Sequence, residues 1–172
     1  MDDYIYKESR GIMGNRLTVS GLHDKSEAKA FVNEITTNGE LDFNKIIPLT
    51  VQNEKERQEK WGSKYNAADT QIVVGESEPI KIMFNTSFVV FEVVKALSEK
   101  YPDLQIVYEY NDEYAICGGI SEWKNGEEHE GCEYPYKAEE LLKVFREIWG
   151  RFPDFDLEKQ IKTGEKADIE IE

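Results

Sequence analysis

Two thiols, an imidazole and three carboxylates fall close together at Cys117, Glu127, Glu128, His129, Glu130 and Cys132. Sulfur, imidazole nitrogen and carboxylate oxygen are the donors that zinc takes, and a thiol beside an imidazole can be made into a nucleophile. Asn125-Gly126 lies between the two thiols, and it is the strongest short-range signal for a two-residue hairpin. Pairing Lys124 with Glu127 sets Gly119 opposite Cys132 and Cys117 opposite Tyr134. The thiols are then diagonal neighbours about 7–8 Å apart between backbones, beyond the usual reach of a disulfide. His129 is three residues from Cys132, so on a regular strand it projects from the opposite face. A shared ligand set requires a bulge or a register shift, for which Gly118-Gly119 leaves room. The expectation is two ordinary reduced cysteines, with no metal and no cofactor. An enzyme or metal protein using Cys117, His129 and Cys132 is the alternative.

Elsewhere the chemistry is sparse. His23 stands beside Asp24 in a turn and reads as a solvated residue. No glycine-rich phosphate loop opens a helix, and no Ser-His-Asp arrangement falls in a recognisable context. The chain reads as non-enzymatic. Its formal charge of −14, from 35 acids against 21 bases, argues against direct nucleic-acid binding, because neutralising phosphates requires clustered Lys and Arg. The acidity has two readings: a solvated surface, or an imitation of nucleic acid that occupies a basic cleft on a partner. For the second, Glu127, Glu128, Glu130 and Glu133 with Glu109, Asp112 and Glu113 form a candidate rail, since duplex DNA carries a charge about every 1.7 Å of its axis. Charges on an exposed hairpin also deter sheet-to-sheet pairing. No apolar run is long enough to span a bilayer and the start is acidic, so the expected location is the cytoplasm.

The segment Trp61-Gly62-Ser63-Lys64-Tyr65-Asn66-Ala67 crowds large and polar residues into a loop. One role is a roof on the sheet, with Gly62 turning and Asn66 bonding backbone. The other is a contact surface of Trp61, Lys64, Tyr65 and Asn66, since Tyr and Trp dominate interface energetics.

These residues need a frame. Arg16-Leu17-Thr18-Val19-Ser20 alternates as a half-buried strand and stops at Gly21. Ser26 precedes a helix with Ala28, Phe31, Val32 and Ile35 on one face, and Asn38-Gly39 ends it. The charged run Glu54 to Lys60 makes a short helix. Strands follow at Thr70–Val74 and Ile80–Phe84, then a helix Val89–Tyr101 stopped by Pro102, then a strand Leu104–Tyr110. The order β-α-β-β-α-β is the ferredoxin-like split βαβ arrangement of the α+β class. A hairpin of residues 114–124 and 127–134 and an amphipathic helix Ala138–Trp149 are appended, the helix placed to cover the sheet's open face. Residues 1–14 read as an arm, 15–152 as one domain and 153–172 as an acidic tail, and Met13 is a candidate alternative start.

Asn15-Arg16-Leu17-Thr18-Val19-Ser20-Gly21, Leu41-Asp42-Phe43-Asn44-Lys45-Ile46-Ile47-Pro48 and Trp61–Ala67, in that order, resemble the YubB-type ferredoxin-like domain family of phages and plasmids. Ala96–Leu104 is similar to that family's second helix and its exit. The likeness covers roughly residues 14 to 130; where the family has an "AWSPP"-like turn, this chain has Thr86-Ser87-Phe88-Val89-Val90. The resemblance implies a ferredoxin-like fold and a mobile-element origin, and brings no catalytic residue set. The expected function is that of a phage or plasmid accessory protein acting by binding a protein. The alternative is an acidic inhibitor that mimics nucleic acid and blocks a host defence nuclease.

Overall fold

The computed structural model describes residues 12–76, 79–113, 118–133 and 138–149, with backbone alone over 130–133, 138–142 and 144. The chain opens with β1 (Met13–Ser20), in which alternate residues Met13, Asn15, Leu17 and Val19 are buried. Helix α1 (Lys25–Ile35) follows, capped by Asp24, whose carboxylate accepts the N–H of Ser26 at 2.7 Å and of Glu27 at 2.9 Å. The cap therefore lies ahead of Ser26, because a carboxylate at Asp24 already serves the first free amides. Nor does Asn38-Gly39 end the helix: it stops at Ile35, and the pair turns a small hairpin, β2 (Thr36–Thr37) and β3 (Glu40–Leu41), with φ of 52° and 82°.

A 3-10 turn (Phe43–Lys45) leads to α2 (Glu54–Trp61), then β4 (Ala68–Val73) and β5 (Ile80–Thr86). Helix α3 (Phe91–Lys100), β6 (Gln105–Asp112), β7 (Gly118–Lys124), β8 (Glu127–Glu133) and α4 (Ala138–Trp149) complete the order. The six long strands form one antiparallel sheet in the order β4-β5-β1-β6-β7-β8. This is an α+β architecture. One face carries the main core, where Leu17, Val19, Ile82, Phe84, Ile106 and Tyr108 meet Phe31 and Ile35 of α1 and Val93, Val94 and Leu97 of α3. Each such side chain removed from water contributes about 1.5–3 kcal/mol.

Helix α4 lies on the other face against β1 and β6. Gly14 admits it: a Cβ there would stand 2.4 Å from Ile148 Cγ2. Arg16 of β1 ties it down, reaching Glu109 of β6 through Nε at 2.5 Å and Glu147 of α4 at 2.7 Å. Among the described residues no helix is long and apolar enough to cross a membrane.

Inside the core, Asn15 Nδ2 donates to the carbonyls of Met13 and Phe84 and to Thr86 Oγ1, at 3.1, 3.2 and 2.9 Å. Tyr108 O–H donates to Asn15 Oδ1 at 2.6 Å and accepts the N–H of Val90 at 3.2 Å. These bonds tie the bent β5–α3 connection to the core, and α3 starts at Phe91, two residues later than its apolar spacing predicts.

The β7–β8 turn is as expected: Asn125 and Gly126 have φ of 51° and 76°, and Lys124 pairs with Glu127. The register beyond it is not. Trp123 pairs with Glu128 but Glu122 with Glu130, so His129 is an extra, bulged residue and Cys132 pairs with Ile120 instead of Gly119. A bulge adds twist at a sheet edge, and here it belongs to the edge strand β8. The expected partners Cys117 and Tyr134, and residues 1–11 and 150–172, lie outside the described residues. Strand β1 begins at Met13, so the sheet takes in two residues assigned to the arm.

Candidate functional site

The segment from Leu41 to Ala67 is stitched together by its own side chains. Asn66 Oδ1 accepts the N–H of Phe43 and of Ala67, both at 2.9 Å, and Nδ2 donates to Asp42 Oδ1 at 2.9 Å. Asp42 also accepts from the Asn44 N–H at 3.0 Å and the Thr37 hydroxyl at 2.7 Å. Burial raises the Asp42 carboxyl, but the bonds from Asn66, Thr37 and Asn44 outweigh it and hold the group below its ordinary value. Phe43 meets Trp61 edge-on with ring centroids 5.4 Å apart, and Trp61 Nε1 donates to the Ile47 carbonyl at 2.9 Å.

Gly62 ends α2 in the left-handed region at φ 80°, and a Cβ on it would lie 2.5 Å from the Val89 carbonyl oxygen. Ser63, buried, donates to the Tyr65 carbonyl at 2.8 Å and shares a bond with the Ser87 hydroxyl at 3.2 Å. Ser87 Oγ in turn accepts the Lys64 N–H at 2.7 Å, and Arg57 Nε donates to the Lys64 carbonyl at 2.5 Å. The loop backbone is thus bonded to α2 and to the β5–α3 connection.

With the backbone so held, two side chains stand outside. Lys64 is exposed, and Tyr65 is 39% exposed. Partial burial, then the charges of Asp69 and Glu113, raise the Tyr65 hydroxyl above its ordinary value. Glu113 exchanges two bonds with Ile12, donating its N–H to the Ile12 carbonyl at 3.1 Å and accepting the Ile12 N–H at 3.3 Å. Ile12 and Tyr65 are thus both exposed, and Glu113 is bonded to the first and its charge raises the hydroxyl of the second.

Trp61 and Asn66 belong elsewhere than the expected contact surface. Trp61 is buried under Phe43 and Asn66 is half-buried with its amide engaged. The expected acidic rail also loses members. Glu109 is buried and turned to Arg16, and Asp112 is buried at the end of β6. On β6 Glu109 alternates with the core residues Tyr108 and Tyr110 but its face is covered by α4, whereas Asp112 shares the parity of Tyr108 and Tyr110 and lies beside Met13 in the β1–β6 register. Glu127 and Glu128 are exposed and Glu113 is half-buried; the side chains of Glu130 and Glu133 lie outside the described residues.

His23 is exposed, with Nδ1 and its backbone N–H each 2.9 Å from one Glu27 carboxylate oxygen. That bond, then the Glu27 charge, raises its pKa. Among the described residues no group of three or more His, Cys, Asp or Glu is placed to hold a metal ion. Cys117 and the Cys132 side chain lie outside the described residues, so the hairpin thiols are not placed.

Ser63, Ser87 and Asp42 carry much of this geometry, and nothing in the hydrophobic pattern singled them out. The signal for Asp42 and Ser63 was the crowding of short hydrogen-bonding side chains next to Phe43 and Gly62; Ser87, 24 residues beyond Ser63, had none.

No family model and no curated protein matches the chain. A solved structure with similar features is that of a protein api92 from Yersinia pseudotuberculosis, of the DUF1281 family, at 14% identity and a TM-score of 0.48. The likeness takes in 56% of this chain, which spans 40% of the length of that one.

Proposed function

We propose that this chain is a ferredoxin-like domain of the YubB type, carried by a phage or plasmid, and that it acts by binding a protein and not by catalysis. Supporting the fold reading, the neighbours β4-β5-β1-β6 fall in the order that the split βαβ arrangement requires. The family reading rests on the three motifs, which the fold draws into one place: Asn15 bonds Phe84 and Thr86, Phe84 meets Phe43, and Phe43 meets Trp61.

One observation carries the binding reading: a loop with anchored backbone leaves Lys64 and Tyr65 outward. A surface ordered before its partner arrives loses little entropy on binding, and tyrosine supplies contact area at low conformational cost. The experiment is affinity capture from a bacterial host with active defence systems, using the wild-type chain and a Lys64→Ala/Tyr65→Ala variant. A partner retained by the first and released by the second supports the reading.

The net charge of −14 with Glu127 and Glu128 exposed on the edge hairpin favours a second reading, an inhibitor that mimics nucleic acid toward a basic nuclease. Such binding would weaken steeply with salt and be lost on reversal of Glu127, Glu128 and Glu130 to Lys. Binding indifferent to salt would rule it out.

A further inference from the structure

A cleft of about 370 Å³ runs between α1 and the turn joining α3 to β6. It lies at the C-terminal end of β1, whereas the Tyr65 loop adjoins the N-terminal end, where Met13 pairs with Thr86 next to Ser87. Its floor is apolar: Phe31 and Tyr101 meet edge-on with centroids 4.9 Å apart, beside Leu22 and Leu104. Among the described residues its walls carry Glu27, Glu34 and Asp103 with Lys100 and His23, and His23 Nδ1 lies 2.9 Å from a Glu27 carboxylate oxygen, which leaves Glu34 and Asp103 as its outward acids. Tyr101 O–H donates to the Glu34 carboxylate, which fixes one acid at the edge of the aromatic floor.

The chain's own Lys100 shows what this floor attracts. Its Nζ lies 5.7 Å from the Tyr101 ring centroid while donating to the Lys45 carbonyl at 3.2 Å. A cation within about 6 Å of an aromatic centroid is drawn by the ring's quadrupole. On the other side of the Gly21–His23 loop a second cleft, of about 310 Å³, shares Gly21, Leu22 and His23. It adds Asp24 and Glu76, with no Lys or Arg among its described lining residues.

We propose that this pair of clefts is a docking site for an extended, basic segment of a partner protein, with one lysine or arginine side chain in the α1–Tyr101 cleft. The methylene stem lies along Phe31, Tyr101 and Leu104, as long cationic side chains cover apolar surface while keeping the head polar. The charged head meets Glu34 and Asp103 in charge-assisted hydrogen bonds. A segment crossing Gly21–His23 brings its next basic residue to Asp24 and Glu76. Charge complementarity selects the occupant, and the net charge of −14 steers a basic chain toward it. The site shares no residue with the Tyr65 surface and does not rest on that reading.

The test is fluorescence anisotropy with a labelled peptide alternating lysine and alanine, against its glutamine-for-lysine counterpart, at low salt. The lysine peptide should bind and the glutamine peptide should not. Glu34→Gln with Asp103→Asn should weaken binding about tenfold, while Glu54→Gln with Glu59→Gln on α2, an equal change of charge, should leave it unaltered. Equal weakening by both pairs would reduce the effect to overall charge and overturn the site, as would equal binding of the two peptides or no binding. Should the cleft variant fail to fold, amide shifts of the wild-type chain decide: perturbation centred on Leu22, His23, Tyr101 and Leu104 supports the site, and perturbation confined elsewhere overturns it.

Discussion

Trp61 does two jobs at once, filling the space beside Phe43 and satisfying the Ile47 carbonyl through Nε1. A phenylalanine would keep most of the first and forfeit the second. Trp61→Phe should therefore lower stability by about 2 kcal/mol, read by urea unfolding, from lost volume and an unpaired carbonyl. Glu56 is a second single-residue device. Its carboxylate accepts the N–H groups of Thr50, Val51 and Gln52 at 2.8, 2.6 and 3.1 Å and faces Lys60 at 3.2 Å. The Thr50 and Val51 bonds, chief among these, lower its pKa from an ordinary 4.5 to about 2. A depressed carboxyl stabilises fully above its ordinary pKa and loses that contribution as pH falls through the folded one. The Thr50 and Val51 amide shifts should thus titrate with a midpoint near 2, and Glu56→Gln should abolish the titration; a midpoint at the ordinary 4.5 would refute the arrangement.

At the scale of elements, α4 is fixed to the sheet by Arg16, which is shared between Glu109 and Glu147. Arg16→Met leaves Glu109 buried without its cation, so it should cost about 3 kcal/mol, and Glu109→Leu added to it should recover much of that loss. A double-mutant cycle in thermal unfolding measures both. Elements with strong local chemistry were legible in the chain itself. The α4 span followed from Leu141, Leu142, Phe145, Ile148 and Trp149 at helical spacing, and the β7–β8 turn from Asn125-Gly126. Asn38-Gly39 has the same dipeptide and makes the same kind of turn, but a preceding helical pattern made it look like a helix end. What stayed hidden depended on partners distant in sequence. The bulge at His129 changes pairing along β8 without a local marker. Glu109 and Asp112 looked like surface acids until α4 and β1 were set against them. The α1–Tyr101 cleft likewise exists only once Phe31 meets Tyr101 and Leu104 across 70 residues or more.

For the whole molecule, the two ends of the sheet differ in character. The end near the N-terminus of β1 presents Tyr65 and Lys64 on an anchored loop and Ile12 just ahead of β1, while the other end gathers Asp24, Glu27, Glu34, Glu76 and Asp103 around two clefts. Under the proposed function the Tyr65 end is a prearranged contact surface, whose outward side chains serve a partner and not the fold. The decisive measurement takes both the thermal midpoint and the partner retained from host extract on one Lys64→Ala/Tyr65→Ala preparation. A prearranged surface loses its partner while the midpoint moves by no more than about 2 °C, as expected of surface side chains. A midpoint lowered by about 8 °C or more, as from a loss of core packing, or a partner held as firmly as by the wild type, would contradict it.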